Sequence, residues 1–162
     1  MNKSFNYTRL QLNVLVLLRL LVGWHLFYEG LSKLLNPAWT SAGFLLESNW
    51  IFSGFAHWIA SNPVVLNAAD FLNTWGLLAI GTGLILGLFT RIASVSGAVL
   101  LLIYYLVNPP VIGMENAIPA EGNYLIINKT LIESFTLVLL TVFPTGSVFG
   151  LDLFLARIRK TA

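Results

Sequence analysis

The chain of 162 residues contains no cysteine. Disulfides, thiolate nucleophiles, persulfide carriers and cysteine-bound iron–sulfur clusters are thereby excluded from anything it does alone. Charge is also scarce, with only 10% of residues charged and a formal net charge of +2. Residues 36–65 and 109–123 hold no lysine or arginine at all. The basic residues fall instead at Lys3, Arg9, Arg91, Arg157, Arg159 and Lys160, beside apolar runs, where they read as membrane anchors; nucleic acid is not an expected partner. No glycine-rich phosphate loop is present, because Gly81, Gly83 and Gly87 lie inside an apolar run instead of between a strand and a helix.

What is abundant is hydrocarbon. Hydrophobic residues make up 57% of the chain and the mean hydropathy is +0.79, values foreign to a soluble domain of this length. Four stretches are long enough to cross about 30 Å of membrane interior: residues 10–35, 66–89, 90–108 and 124–143. The expected fold is all-α, a single polytopic domain over residues 1–162 built as a four-transmembrane-helix bundle. The first run is too long for a signal peptide and lacks a small-residue cleavage pattern, so it is expected to remain in the mature protein. The basic anchors put both termini on the cytoplasmic side of an inner (cytoplasmic) membrane.

Between the first two runs lies a segment rich in Trp39, Phe44, Trp50, Phe52, Phe55 and Trp58, which predicts an interfacial helical cap on the outer side. His57 in this cap reads as a structural hydrogen-bonding group. After Pro144, Thr145 and Gly146, the tail from Val148 to Lys160 predicts a short amphipathic helix on anionic lipid. The recurrence of Ala79, Gly83 and Gly87, and of Ala93 and Gly97, predicts small-residue seams for close helix packing.

The first run carries Arg19, His25, Glu29 and Lys33 within a sector of roughly 120°, the last three at successive i, i+4 positions. Charges at membrane depth cost several kcal/mol, so this stripe must face protein or a wet cavity. The second run contributes Asn67, Asp70, Asn73 and Thr74 on one face. The fourth is entered through Glu121, Gly122 and Asn123 and then carries Asn128, Lys129 and Glu133. The outer halves of the runs are expected to bring these groups into one polar pocket, with Arg19 about 9 Å below His25 and open to a separate inner pairing.

Three motifs, LLRLLVGWHLFYEGLSKLLNP, GLLAIGTGLILGLFTRIA and EGNYLIINKTLIE, resemble the DoxX family of small four-span membrane proteins. The third is closer to the DoxD-type subunit of membrane thiosulfate:quinone oxidoreductase. The resemblance implies a four-helix membrane bundle, a quinone-linked redox role with a small sulfur compound such as thiosulfate as donor, and a second protein subunit. Arg19, Glu29, Gly30 and Lys33 match the first motif, Arg91 the second, and Glu121, Asn123, Asn128 and Lys129 the third.

The residues themselves permit a quinone site. His25 and Glu29 are the candidate catalytic groups for proton exchange with a quinone carbonyl, flanked by Trp24, Phe27 and Tyr28. Arg19, Lys33, Asp70, Asn73, Glu121, Asn123, Asn128, Lys129 and Glu133 complete the expected binding set. A purely structural stripe is the alternative, with Arg19 paired to Glu133 or Asp70 and Lys33 reaching the outer interface. Bis-histidine haem is disfavoured because His25 and His57 lie at different expected depths, and His25 with Glu29 lacks the further ligands a metal needs. Expected partners are membrane lipid and either a second subunit or another copy of the chain. A scaffold recruiting redox enzymes and a small-solute carrier remain the other function classes.

Overall fold

A computed structural model describes residues 7–110 and 123–153. The chain is helical almost throughout, and the reasons are local. Helix α1 (Arg9–Leu34) opens on a capping box: the Thr8 hydroxyl accepts from the Gln11 amide, and the Gln11 side chain accepts from the Thr8 amide. Two short helices follow, α2 (Ala42–Leu46) and α3 (Ser53–Ser61). Helix α4 (Pro63–Leu86) begins where Asn62 accepts hydrogen bonds from the amides of Val64 and Val65, with Pro63 in the first turn, where its missing N–H costs nothing. It ends at Gly87, whose φ of +66° closes the helix in the left-handed region. Gly87 is thus a helix stop and not part of a packing seam. Helix α5 (Thr90–Val107) starts almost at once.

The fourth apolar run forms less helix than expected. Residues 123–128 make a small antiparallel hairpin, β1 (Asn123–Tyr124) with β2 (Ile127–Asn128), whose turn holds Leu125 at φ +61°. Asn128 then accepts from the Leu131 amide and caps α6 (Lys129–Val142). At 14 residues α6 is about 21 Å long, whereas α1, α4 and α5 are each long and apolar enough to cross a membrane. Hydropathy ran through the hairpin because Tyr124, Leu125, Ile126 and Ile127 are apolar; only hydrogen bonding revealed where the helix begins.

Helices α1, α4, α5 and α6 contact one another in a closed ring, most extensively α1 with α4 and α5 with α6. The α1–α4 contact depends on Gly81, where an added β-carbon would stand 2.7 Å from the Phe27 Cα. The small residues that matter most for this seam are therefore Gly81 with Gly23 and Gly30, and not the Ala79–Gly83–Gly87 series. Leu26, Leu77, Leu84 and Leu137 are fully enclosed at the centre. The outer faces are the reverse of a soluble protein: Leu17, Leu21, Phe71, Leu72, Trp75, Ile92 and Phe135 are all exposed, as suits hydrocarbon solvent.

The aromatic segment caps one end of the ring. Asp70 of α4 accepts from the Ser41 amide at 2.8 Å and from the Ser41 hydroxyl, the buried Ser48 hydroxyl donates to the Val107 carbonyl at 2.7 Å, and the Asn108 amide donates to the Phe44 carbonyl. His57 joins α3 to α2 through the Leu46 carbonyl, 3.1 Å from Nε2. At the opposite end, residues 145–153 fold back on the α4–α5 turn, with the amides of Leu151 and Asp152 donating to Leu86 and Gly87. Most of the expected amphipathic tail lies beyond, outside the described residues.

Candidate functional site

The last three turns of α1, the first half of α4, the end of α5 and the start of α6 surround a cavity of about 290 Å³ beneath the cap. Into it face His25, Glu29 and Lys33 from α1, Asn73 from α4, Tyr104 from α5, and Lys129 and Glu133 from α6. Trp39, Thr40, Ser41 and Phe44 close it from the cap side, while Leu26, Leu77 and Leu101 form apolar wall.

The charged groups form a chain across the space. His25 Nδ1 stands 2.7 Å from Glu133 Oε1, and its Nε2 is 3.8 Å from Glu29 Oε1. Glu29 Oε2 is 4.0 Å from Lys33 Nζ, which donates to Asn73 Oδ1 at 3.1 Å. The Lys33 ammonium also lies 5.1 Å from the Trp39 ring centre and 5.7 Å from that of Tyr104, so two aromatic faces share its charge. Every one of these links is spaced for a proton or a polar ligand to move among donors and acceptors. Cap, α1, α4 and α5 meet at the single Lys33 ammonium.

Several expected members stand elsewhere. Trp24 and Tyr28 are 61% and 58% exposed on the outer face of α1 and do not line the cavity. The helical register puts them on the other side of α1 from His25 and Glu29, and the aromatic lining comes from Trp39, Phe44 and Tyr104 instead. Asp70 acts one step away, holding the cap through Ser41. Asn128 is a helix cap. Glu121, and the side chain of Asn123, lie outside the described residues.

Arg19 belongs to a second cluster at the other end. It is 3% exposed and donates to the Thr145 hydroxyl at 3.0 Å, with Asp152 as its acidic neighbour and Gly87 packed against its guanidinium. Neither Glu133 nor Asp70 is its partner. Asp152, which carried no sequence signal, accepts from the amides of Phe89 and Thr90 and from the Thr90 hydroxyl, and so caps α5 from a distant part of the chain.

Residues 14–108 match the DoxX family model, which covers α1 from Val14, the cap, α4 and α5. The chain belongs to the DoxX family. The matched region contains the motifs around Arg19–Lys33 and Gly76–Ala93, whereas Glu121–Glu133, which supplies Lys129 and Glu133 to the cavity, falls outside it. Searches among curated proteins and among solved structures return no match. This DoxX protein is therefore a membrane protein by family and by its three long apolar helices.

Of the cavity residues, sequence reasoning missed Tyr104 and the lining role of Trp39 and Phe44. Tyr104 sits in an otherwise apolar run, and its neighbour Tyr105, donating to the Ile126 carbonyl at 2.7 Å, carries the same residue type to a different task. No spacing separates the two.

Proposed function

We propose that this protein is the membrane subunit of a quinone-linked oxidoreductase, with the capped cavity as the quinone headgroup site. The observation that carries the reading is the placement of His25 between two carboxylates, Glu29 and Glu133, in a cavity walled by the aromatic rings of Trp39, Phe44 and Tyr104. The donor set fits such a group: aromatic faces to stack on a planar ring, Lys33 and Asn73 to hydrogen-bond an oxygen, and His25 with Glu29 to supply or remove protons. A quinone bound there provides two-electron chemistry coupled to two protons. The chain itself binds, orients and manages the protons, since it has no cysteine and no redox-active group of its own.

Electrons then arise from a donor oxidised on a second subunit. The similarity of the Glu121–Glu133 motif to the DoxD type supports a small sulfur compound such as thiosulfate in that role. In this reading α6 and the hairpin together complete a fourth crossing, the membrane is the inner membrane, and the cavity opens toward its outer side. The basic residues Arg9 and Arg91 mark the cytoplasmic end. Ser48 is buried, so an orientation probe goes at exposed Asn49, with exposed Ser147 as its opposite. A membrane-impermeant thiol reagent added outside should label Asn49→Cys and spare Ser147→Cys; the reverse pattern overturns the orientation.

The function is tested by gentle purification with its protein partners, identification of co-purifying lipid-soluble molecules, and measurement of electron transfer from thiosulfate to a quinone analogue. Bound quinone and turnover are the expected results. A complex that neither binds nor reduces quinone removes the redox reading.

A further inference from the structure

We infer that Glu133 is a positioning residue that holds His25 in its Nδ1–H tautomer, making Nε2 the imidazole nitrogen that takes and gives protons at the cavity. At 2.7 Å, a ring lone pair and a carboxylate lone pair repel each other, so a proton lies between Nδ1 and Oε1. A carboxylate is far the weaker base of the two, and the proton resides on the ring nitrogen. Nε2 is then left with its lone pair, facing Glu29 at 3.8 Å, too long for a direct hydrogen bond and open to a ligand oxygen or a reoriented carboxylate.

The two carboxylates are unequal in a way that suits separate tasks. Glu133 is 23% exposed and is carried on a helix fixed from both sides of it: Asn128 caps the first turn, and the Ser134 hydroxyl donates to the Ala98 carbonyl on α5 at 2.9 Å. Glu29 is 44% exposed, on the same helix as His25, with only Lys33 at 4.0 Å beyond it. A fixed acceptor on one ring nitrogen sets which nitrogen is basic; a freer carboxylate beside the other relays protons. The i, i+4 relation of His25 to Glu29 is what the sequence displays, yet the controlling partner comes from α6, across the seam. The titratable groups that face this histidine are Glu29 from α1 and Lys129 and Glu133 from α6, with Lys33 and Tyr104 on the same cavity wall.

The use of this proton in quinone chemistry rests on the function proposed above, but the tautomer does not. The chain has two histidines, so ¹⁵N-histidine spectra of the protein in lipid nanodiscs are assignable with His57→Gln. At the alkaline limit of the titration, His25 should show a protonated Nδ1 and an unprotonated Nε2, the opposite of the form free histidine favours. Glu133→Gln retains a carbonyl acceptor and should keep this tautomer, Glu29→Gln should leave it unchanged, and Glu133→Leu should switch it to Nε2–H. A wild-type His25 in the Nε2–H form, or with both nitrogens protonated up to pH ~9, overturns the inference; so does Glu133→Leu that keeps Nδ1–H. If Glu133→Leu does not fold, the wild-type and Glu133→Gln spectra still decide. Absence of quinone binding with the expected tautomer would sink only the redox reading.

Discussion

The two ends of the helix ring both contain charge at membrane depth, and they use it differently. At the Arg19 end, guanidinium, Thr145, Asp152 and the start of α5 interlock with glycine backbone packed against them, and the charge is spent on holding the chain together. At the His25 end, the charges surround about 290 Å³ of space, and several of their separations are at the outer limit of an ion pair. An intramembrane charge is thus not a site by virtue of its cost; it becomes one where the packing leaves room beside it.

The sharpest way to break this contrast is to disturb the packed end. Asp152→Ala removes three hydrogen bonds from the start of α5 and leaves Arg19 without its acidic neighbour in a buried position. The expected cost is about 3 kcal/mol or more, seen as a large fall in detergent melting temperature or failure to accumulate. A variant that melts like the wild type would show that the Arg19 cluster does not hold the fold.

At the open end the expected effect falls on turnover and not on folding. Glu29→Gln keeps the side-chain volume while removing a proton acceptor, and its position is partly exposed. Melting should change little while donor-to-quinone turnover drops by about 100-fold, the scale of a lost acid–base group. A well-folded variant with unchanged turnover would remove Glu29 from the mechanism, whereas misfolding would make this end structural too.

A smaller effect separates the two tryptophans. Trp39 faces Lys33 and lines the cavity, while Trp24 looks outward. Trp39→Leu should weaken binding of a quinone analogue several-fold, in keeping with about 1 kcal/mol for a lost aromatic contact. Trp24→Leu should leave it within twofold. Equal losses from both would place the ligand on the lipid face of α1 and not under the cap.

Much of this organisation was legible in the residues. The i, i+4 series of His25, Glu29 and Lys33 placed three side chains on one face because helix geometry leaves no alternative, and all three line one cavity. The membrane character, the aromatic cap and the convergence of Asn73, Lys129 and Glu133 followed from the same logic. Trp24 and Tyr28 were misassigned to the ligand because nearness in sequence is not a shared face; their register carries them outward. The start of α6 was misread because hydropathy does not see backbone hydrogen bonds, and a short hairpin of apolar residues resembles a helix by that measure.

By itself, the sequence determined that this chain lives in a membrane, that its first helix carries a titratable stripe, and that sulfur chemistry of its own is excluded. Composition and helical period act residue by residue and need no partner. Tertiary structure decided that Arg19 pairs inward with Thr145 near Asp152, that Glu133 and not Glu29 stands closest to His25, and that Tyr104 and Trp39 share the Lys33 ammonium. Those facts depend on the rotation and depth of one helix against another, which the close approach at Gly81 and the anchoring of the cap through Ser41, Ser48 and Asn108 set across distant parts of the chain.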